Sequence, residues 1–460
     1  MNTATAPSLL LLACLGAANW AGEATPLATT PGFQPAVALA EGHKASVYLP
    51  NAYATQPDRT FPVVICQHPG GNPSGDVGKW GPWAERFGVV IIGIHGPANS
   101  MASHEKPPIQ DGVIRALSAS LRLHPHWRWT SGVSGGSADG ARFIRRKPAD
   151  FSGACLVAVN AGPAIKPARA GLAFGIIHGA KDDIIPGLGV LSSQPAAYLA
   201  AGSPVRWTLS QMGRHSGGPA GAHEEMLTWL LWTGRLAAGQ PEADLSQARG
   251  DAAAWATSIL AQGDAAKRER EATLFLELPT AEVAGRDAIA ERWAQDVLTA
   301  AAALPAADRL AALHDALAGE RWQPTTYGKA PNTKPCWIVT RNHVLRDSGL
   351  PLPEPVRAAV AKARDAAAAD ATAARDWELR KQFRTAVLAE IDAGLNLDLS
   401  KAAGDAYAAV AAIEPANRWC SEAAQHAHRL KDYYARKSAS TAGSTSEPVN
   451  DGGEKAPGAP

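Results

Sequence analysis

The sequence predicts a three-layer α/β domain with a mostly parallel sheet over residues 35–240, followed by an all-α region over residues 241–437. Three observations carry this expectation. Apolar runs without polar alternation, such as Val89-Val90-Ile91-Ile92-Gly93-Ile94, suit strands buried on both faces of a parallel sheet. Stretches with helical spacing separate those runs, the pattern of strand–helix–strand units. After Pro241 the chain turns to Ala, Leu, Glu, Arg and Asp at helical periodicity, while most glycines precede that point.

Taken in order, apolar runs predict strands at residues 47–49, 61–66, 89–94, 129–133, 154–159, 174–178 and 205–209. Helical spacing predicts helices at 111–123, where Val113, Ile114, Leu117 and Leu121 share a side, and at 137–145, near 194–200, and at 223–236. In the second part, helices are expected at 252–262, 281–303, 306–318, 355–374, 377–393, 399–413 and 417–434. Prolines 305, 324, 331, 335, 351, 353, 355 and 415 punctuate them. The last two helices, joined through Glu414-Pro415-Ala416-Asn417, weakly resemble a tetratricopeptide hairpin, but one pair is not a repeat array. Residues 438–460 are rich in Ser, Gly and Pro and read as a disordered tail.

At 460 residues the chain suits two or three domains, and 46% hydrophobic with 19% charged residues excludes disorder throughout. A net charge of +1 gives no reason to expect nucleic acid. That value hides an asymmetry. Residues 1–240 carry 18 basic and 13 acidic side chains, whereas residues 241–460 carry 26 and 30, so the two parts have room to dock electrostatically. The dense apolar run at residues 9–15 is far short of the ~20 residues that span a bilayer. With small residues following up to Ala24, residues 1–24 read as an export signal, although no Lys or Arg precedes the run. Leu11-Leu12-Ala13-Cys14 also resembles a lipoprotein signal in which Cys14 would carry a lipid. A secreted, periplasmic or envelope-associated location is expected.

Cys66 and Cys155 sit in apolar runs and read as buried small hydrophobes. Pairing of Cys336 with Cys420 is left open by the sequence. No Cys or His spacing suggests zinc, and the chemistry below calls for no cofactor.

That chemistry centres on Gly132-Val133-Ser134-Gly135-Gly136, between a predicted strand and a predicted helix. A sharp strand-to-helix turn strains and exposes its central residue, so neighbours must be small, and Gly132 and Gly136 meet that need. Ser134 also falls at the positive end of a helix, where an oxyanion would be stabilised. Ser131 and Ser137 flank the turn as packing or capping residues. A serine nucleophile needs a base and a group to orient it. Asp182 follows the strand ending at His178, with Asp183 as its neighbour and alternative. His215 lies in the loop after the last strand, with His223 as rival. Oxyanion donors are expected from the Gly135 amide and from His68-Pro69-Gly70-Gly71-Asn72. There Pro69 has no N–H, leaving Gly70 or Gly71. Six other histidines (124, 126, 314, 343, 426 and 428) read as surface residues or local hydrogen-bonders.

With these residues in place, residues 35–240 resemble an α/β-hydrolase, and within that superfamily the secreted esterases of the polyhydroxybutyrate depolymerase and feruloyl esterase type. His68-Pro69-Gly70-Gly71-Asn72, Ser131-Gly132-Val133-Ser134-Gly135-Gly136, Pro148-Ala149-Asp150-Phe151-Ser152-Gly153 and His178-Gly179-Ala180-Lys181-Asp182 carry the resemblance. It implies Ser134 as nucleophile, Asp182 as acid and His215 as base. Pro69, where the family usually has glycine, and Gly135-Gly136-Ser137, with one glycine earlier than the common form, depart from the pattern.

Only residues 160–171 stand at the usual position of a lid, so an open, lidless cleft is expected, suited to bulky, polymeric, aryl or sugar esters. Trp80, Trp83, Trp127 and Trp207 are candidates to line it or to pack the core. A serine peptidase on the same fold is the nearest alternative. A scaffold or carbohydrate-binding protein with a vestigial hydrolase domain is the non-enzymatic one. The helical part holds no catalytic constellation and is expected either to bind a protein partner or to pack passively.

Overall fold

Where apolar residues run together the chain forms strands, and glycine and proline mark most of their ends. A computed structural model describes residues 25–159, 172–184, 189–215, 221–237, 239–278, 283–318, 320–327, 334–342 and 349–443. The expected signal at 1–24 with Cys14, the lid position at 160–171, His343 and most of the expected tail lie outside these residues. The final helix, Arg418–Gly443, runs into the first part of that tail. Contacts divide the chain into two compact units, Met1–His124 and Pro125–Pro460.

The first unit holds β1 (Thr25–Pro26), β2 (Gly32–Ala38), β3 (Lys44–Leu49), β4 (Phe61–Gln67) and β5 (Val90–Ile94), in the order β1-β2-β3-β5-β4. β3 is antiparallel to both β2 and β5, whereas β4 and β5 run parallel. Every residue of β4 and β5 is buried, as unbroken apolar runs require. Helices Ser74–Lys79 and Gly81–Phe87 fill the β4–β5 crossover. A side chain at Gly93 would come within 2.7 Å of both Pro73 and Val77, so glycine lets the first of them seat on β5. Helix Lys106–Ser120 starts and ends before the helix expected at 111–123, because Leu121 turns to extended backbone and leads into the next strand.

The second unit holds β6 (Leu123–Val133), β7 (Gly153–Val157), β8 (Ala173–Gly179), β9 (Val205–Ser210), β10 (Glu320–Tyr327) and β11 (Lys334–Asn342). Their order is β6-β7-β8-β9-β11-β10. Neighbours from β6 through β9 are parallel. Helices Gly135–Arg146, Gly189–Ala200 and Ala222–Arg235 alternate with these strands. The helical region then follows with Glu242–Leu260, Ala265–Leu276, Arg286–Ala302, Ala306–Leu317, Glu354–Ala368, Ala371–Ala393, Leu397–Ala411 and Arg418–Gly443. Asp370 ends the run expected at 355–374 by capping a new helix, its carboxylate accepting the Ala373 N–H at 2.9 Å.

This region is not all-α. β10 and β11 form an antiparallel hairpin, and β11 pairs antiparallel with β9, so the region after residue 241 extends the sheet that holds β6 to β9. Prolines 324 and 335, read as helix punctuation, lie inside its strands. Pro324 is tolerated because β10 is the outermost strand, and Pro335 because it stands at the start of β11.

Buried ion pairs fasten the helical region to the strands before it. Arg206 on β9 is fully buried and donates to Glu277 at 3.0 Å, with Glu225 at 3.4 Å. Arg321 on β10 meets Glu225 at 3.0 Å, and Arg235 pairs with Asp251. In two of these four, Arg206–Glu277 and Arg235–Asp251, a basic residue of the first part meets an acidic one of the second, the sense of the charge asymmetry along the chain.

Trp80, Trp83, Trp127 and Trp207 are all buried and pack the core rather than an open cleft. Cys66, Cys155, Cys336 and Cys420 are buried free thiols. Among the described residues, no helix is long and apolar enough to cross a membrane.

Candidate active site

β6 ends at Val133 and helix Gly135–Arg146 begins two residues later, leaving Ser134 alone to make the turn. Its backbone is forced to φ 55°, ψ −124°, a conformation that costs a non-glycine residue on the order of 1–3 kcal/mol. Neighbouring contacts hold it there. The Ser134 N–H donates to Val157 O at 2.9 Å, and Ser137 Oγ accepts the Val157 N–H at 2.9 Å while donating to Gly132 O. Ser137 thus ties the turn to β7. Gly135 is the first residue of the helix, where backbone amides have no acceptor within the helix.

β8 and β9 run parallel beside β7, so their exits share the rim occupied by the Ser134 turn. The two exits lean on each other through backbone. The Ala180 N–H donates to Ser210 O at 2.8 Å, and the Lys181 N–H to Gly213 O at 2.8 Å. Glycine at position 179 makes the approach possible, because a Cβ there would stand 2.2 Å from the Gly213 carbonyl carbon and oxygen. The result is contact between the two side chains that the sequence singled out. His215 Nδ1 lies 3.0 and 2.9 Å from the two oxygens of Asp182, which is fully buried, and the imidazole is partly open to solvent. Asp182 also accepts the Ile184 N–H at 2.9 Å. A carboxylate can only accept, so Nδ1 carries the proton and Nε2 is left as the basic nitrogen.

The alternatives fall elsewhere. Asp183 is exposed. His223 Nε2 lies 2.8 Å from the hydroxyl of Ser131, which is buried within β6, away from the turn. In the first unit the Gly70 N–H donates to His68 Nδ1 at 3.0 Å and the Gly71 N–H to His68 O at 2.9 Å. Both expected donors of that loop are therefore engaged within it.

His178, which the sequence marks only as a strand end, has a further place beside the site. His178, the penultimate residue of β8, is buried, and its Nε2 donates to Val159 O at 2.8 Å, while Nδ1 has no partner among the described residues. Burial depresses this imidazole to about 4, against the opposing pull of its bond to Val159 and of the Asp182 charge. It is therefore neutral behind the acid and adds no competing positive charge. The available signal was a histidine ending an otherwise apolar strand.

Two outcomes are expected. Gly179→Ala forces backbone against backbone and should destabilise by about 1–3 kcal/mol, at the upper end, in urea unfolding; unchanged stability would show the approach to be looser. His178 binds a proton more readily unfolded than folded, so its stabilisation is full above pH 6.5 and drains as pH falls toward 4. His178→Gln should flatten the loss of stability over that window by on the order of 3 kcal/mol, followed by urea unfolding at stepped pH.

No protein-family model matches the sequence, and no curated protein matches it. Similar solved structures include a thermostable esterase at 17% identity and TM-score 0.35, the match covering 43% of this chain and 62% of that one. A ferulic acid esterase matches at 15% identity and TM-score 0.33, over 44% of this chain and 96% of that one. Dipeptidyl peptidase 4 of Porphyromonas gingivalis matches at 14% identity and TM-score 0.33, over 44% of this chain and 35% of that one. Each unit's sheet has the build of an α/β fold, and Ser134, Asp182 and His215 follow one another along the chain in the order that the resemblance to α/β-hydrolases implies.

Proposed function

We propose that the protein is a serine hydrolase that cleaves carboxylic esters through Ser134, His215 and Asp182. The observation that carries this is the Asp182–His215 pair at 2.9–3.0 Å on the rim that also bears the strained Ser134 turn. Asp182 fixes the His215 tautomer with Nε2 free to take the Ser134 proton. The Ser134 oxygen then attacks the ester carbonyl, and the tetrahedral oxyanion is held by the Gly135 amide at the start of the helix. His215 returns its proton to the leaving alcohol as the C–O bond breaks. Water, deprotonated in turn by His215, releases the acid and regenerates Ser134. Losing one oxyanion donor raises such a barrier by roughly 2.7–4 kcal/mol.

We place the enzyme outside the cytoplasm on the residue 9–15 run alone, and its cleft is open in this reading, with bulky or polymeric aryl, sugar or hydroxyalkanoate esters as substrates. The test is turnover of a panel of short p-nitrophenyl acyl esters, acetylated sugars, feruloyl and hydroxyalkanoate esters and peptides. Ester hydrolysis should exceed peptide hydrolysis, and Ser134→Ala should lower kcat by roughly 10⁴-fold or more. Undiminished turnover in that variant would sink the assignment, and turnover of peptides alone would make the enzyme a peptidase.

A further inference from the structure

The loops bearing Asp182 and His215 rest on something the hydrolase reading does not use. Lys181, beside the acid, donates from Nζ to Gly394 O at 2.8 Å at the end of helix Ala371–Ala393, and lies 3.6 Å from Glu390. Gln211, four residues before the base, sends Nε2 to Glu390 Oε2 at 2.7 Å, with Tyr407 Oη at 3.0 Å and His426 Nδ1 at 3.2 Å. Its main chain and side chain also clasp the hairpin, with Gln211 N–H donating to Trp337 O at 2.9 Å and Trp337 N–H to Gln211 Oε1 at 3.0 Å.

Glu390 is the hub. It is fully buried, takes Arg429 Nη2 at 2.6 Å on each oxygen and accepts the Tyr407 hydroxyl at 3.0 Å. Burial alone would raise its carboxyl, but the contact with His426 and the charges of Arg429 and Lys181 hold it well below the ordinary range. A buried ion cluster of this kind seldom adds stability over apolar side chains of similar volume. What it adds is direction, because hydrogen bonds fix the angles at which two loops meet, as apolar packing does not.

We propose, on the strength of the hydrolase reading, that the helical region is a positioning scaffold for the catalytic loops, with Glu390 holding Lys181 and Gln211 so that Asp182 meets His215. Lys181, Gln211 and Glu390 are positioning residues and touch no reacting atom.

The experiment uses the full chain with Lys181→Met and Gln211→Met, beside Ser134→Ala. Three readouts are taken: kcat and KM on a p-nitrophenyl ester, circular dichroism, and the downfield proton resonance of His215 Nδ1–H bound to Asp182. Both brace variants should lose about 10–100-fold in kcat with KM within about twofold, and their downfield resonance should weaken or vanish. Ser134→Ala should keep the resonance. Lys181 lies at the rim of the cluster and methionine preserves its length, so that variant decides the matter if Gln211→Met unfolds. Wild-type kcat and an intact resonance in folded Lys181→Met would overturn the proposal. Should Ser134→Ala retain turnover, the hydrolase reading fails instead, while the resonance still reports whether the brace sets the pair.

Discussion

Two loops can share a hydrogen bond only where their backbones are allowed to meet, and here that permission rests on Gly179. With no side chain at that position, the exit of β8 lies against the carbonyl of Gly213, and the amides of Ala180 and Lys181 find acceptors in the neighbouring loop. Asp182 and His215 come together as a consequence of this backbone seam. Ser134 depends on a different constraint, a turn too short for relaxed geometry, which Ser137 and Val157 hold in place. The site is thus built from backbone strain at one strand end and backbone contact at two others.

Beneath the seam lies a charged cluster that a purely structural domain would do better without. Desolvating Glu390, Arg429 and Lys181 together is costly, and the attraction among them largely offsets that cost rather than exceeding it. The second cluster, around Arg206, Glu277, Glu225 and Arg321, seats the hairpin and the neighbouring helices on β9. The helical region therefore reaches the strands before it twice, along the sheet edge and at the loops that bear Asp182 and His215. The neutral net charge conceals a basic first part and an acidic second part joined through these pairs.

Much of this was legible in the sequence. Continuous apolar runs marked the central strands, and polar residues following them marked the rim, which is why Ser134, Asp182 and His215 could be named from spacing and glycine placement. The hairpin was not legible. Pro324 and Pro335 look like helix breakers to any local rule, and only the tertiary position of β10 at a sheet edge makes them compatible with strands. The strongly charged stretch at Ala265–Leu276 offered too few apolar positions to betray a helix, though tertiary packing forms one. Gln211 carried no sequence signal, His178 was read only as a strand end, and His426, read as a surface residue or local hydrogen-bonder, is buried with a distant partner, because a lone polar residue carries no periodicity. Their roles come from long-range contacts across up to 215 positions of chain.

The central claim is that Ser134 is the activated serine, and the chain contains a built-in competitor in Ser131, which sits 2.8 Å from His223. Labelling with a fluorophosphonate followed by peptide mass spectrometry distinguishes them directly. The expected result is a single adduct on Ser134, with Ser131 unmodified. An adduct on Ser131, or none on Ser134 in folded protein, would contradict it.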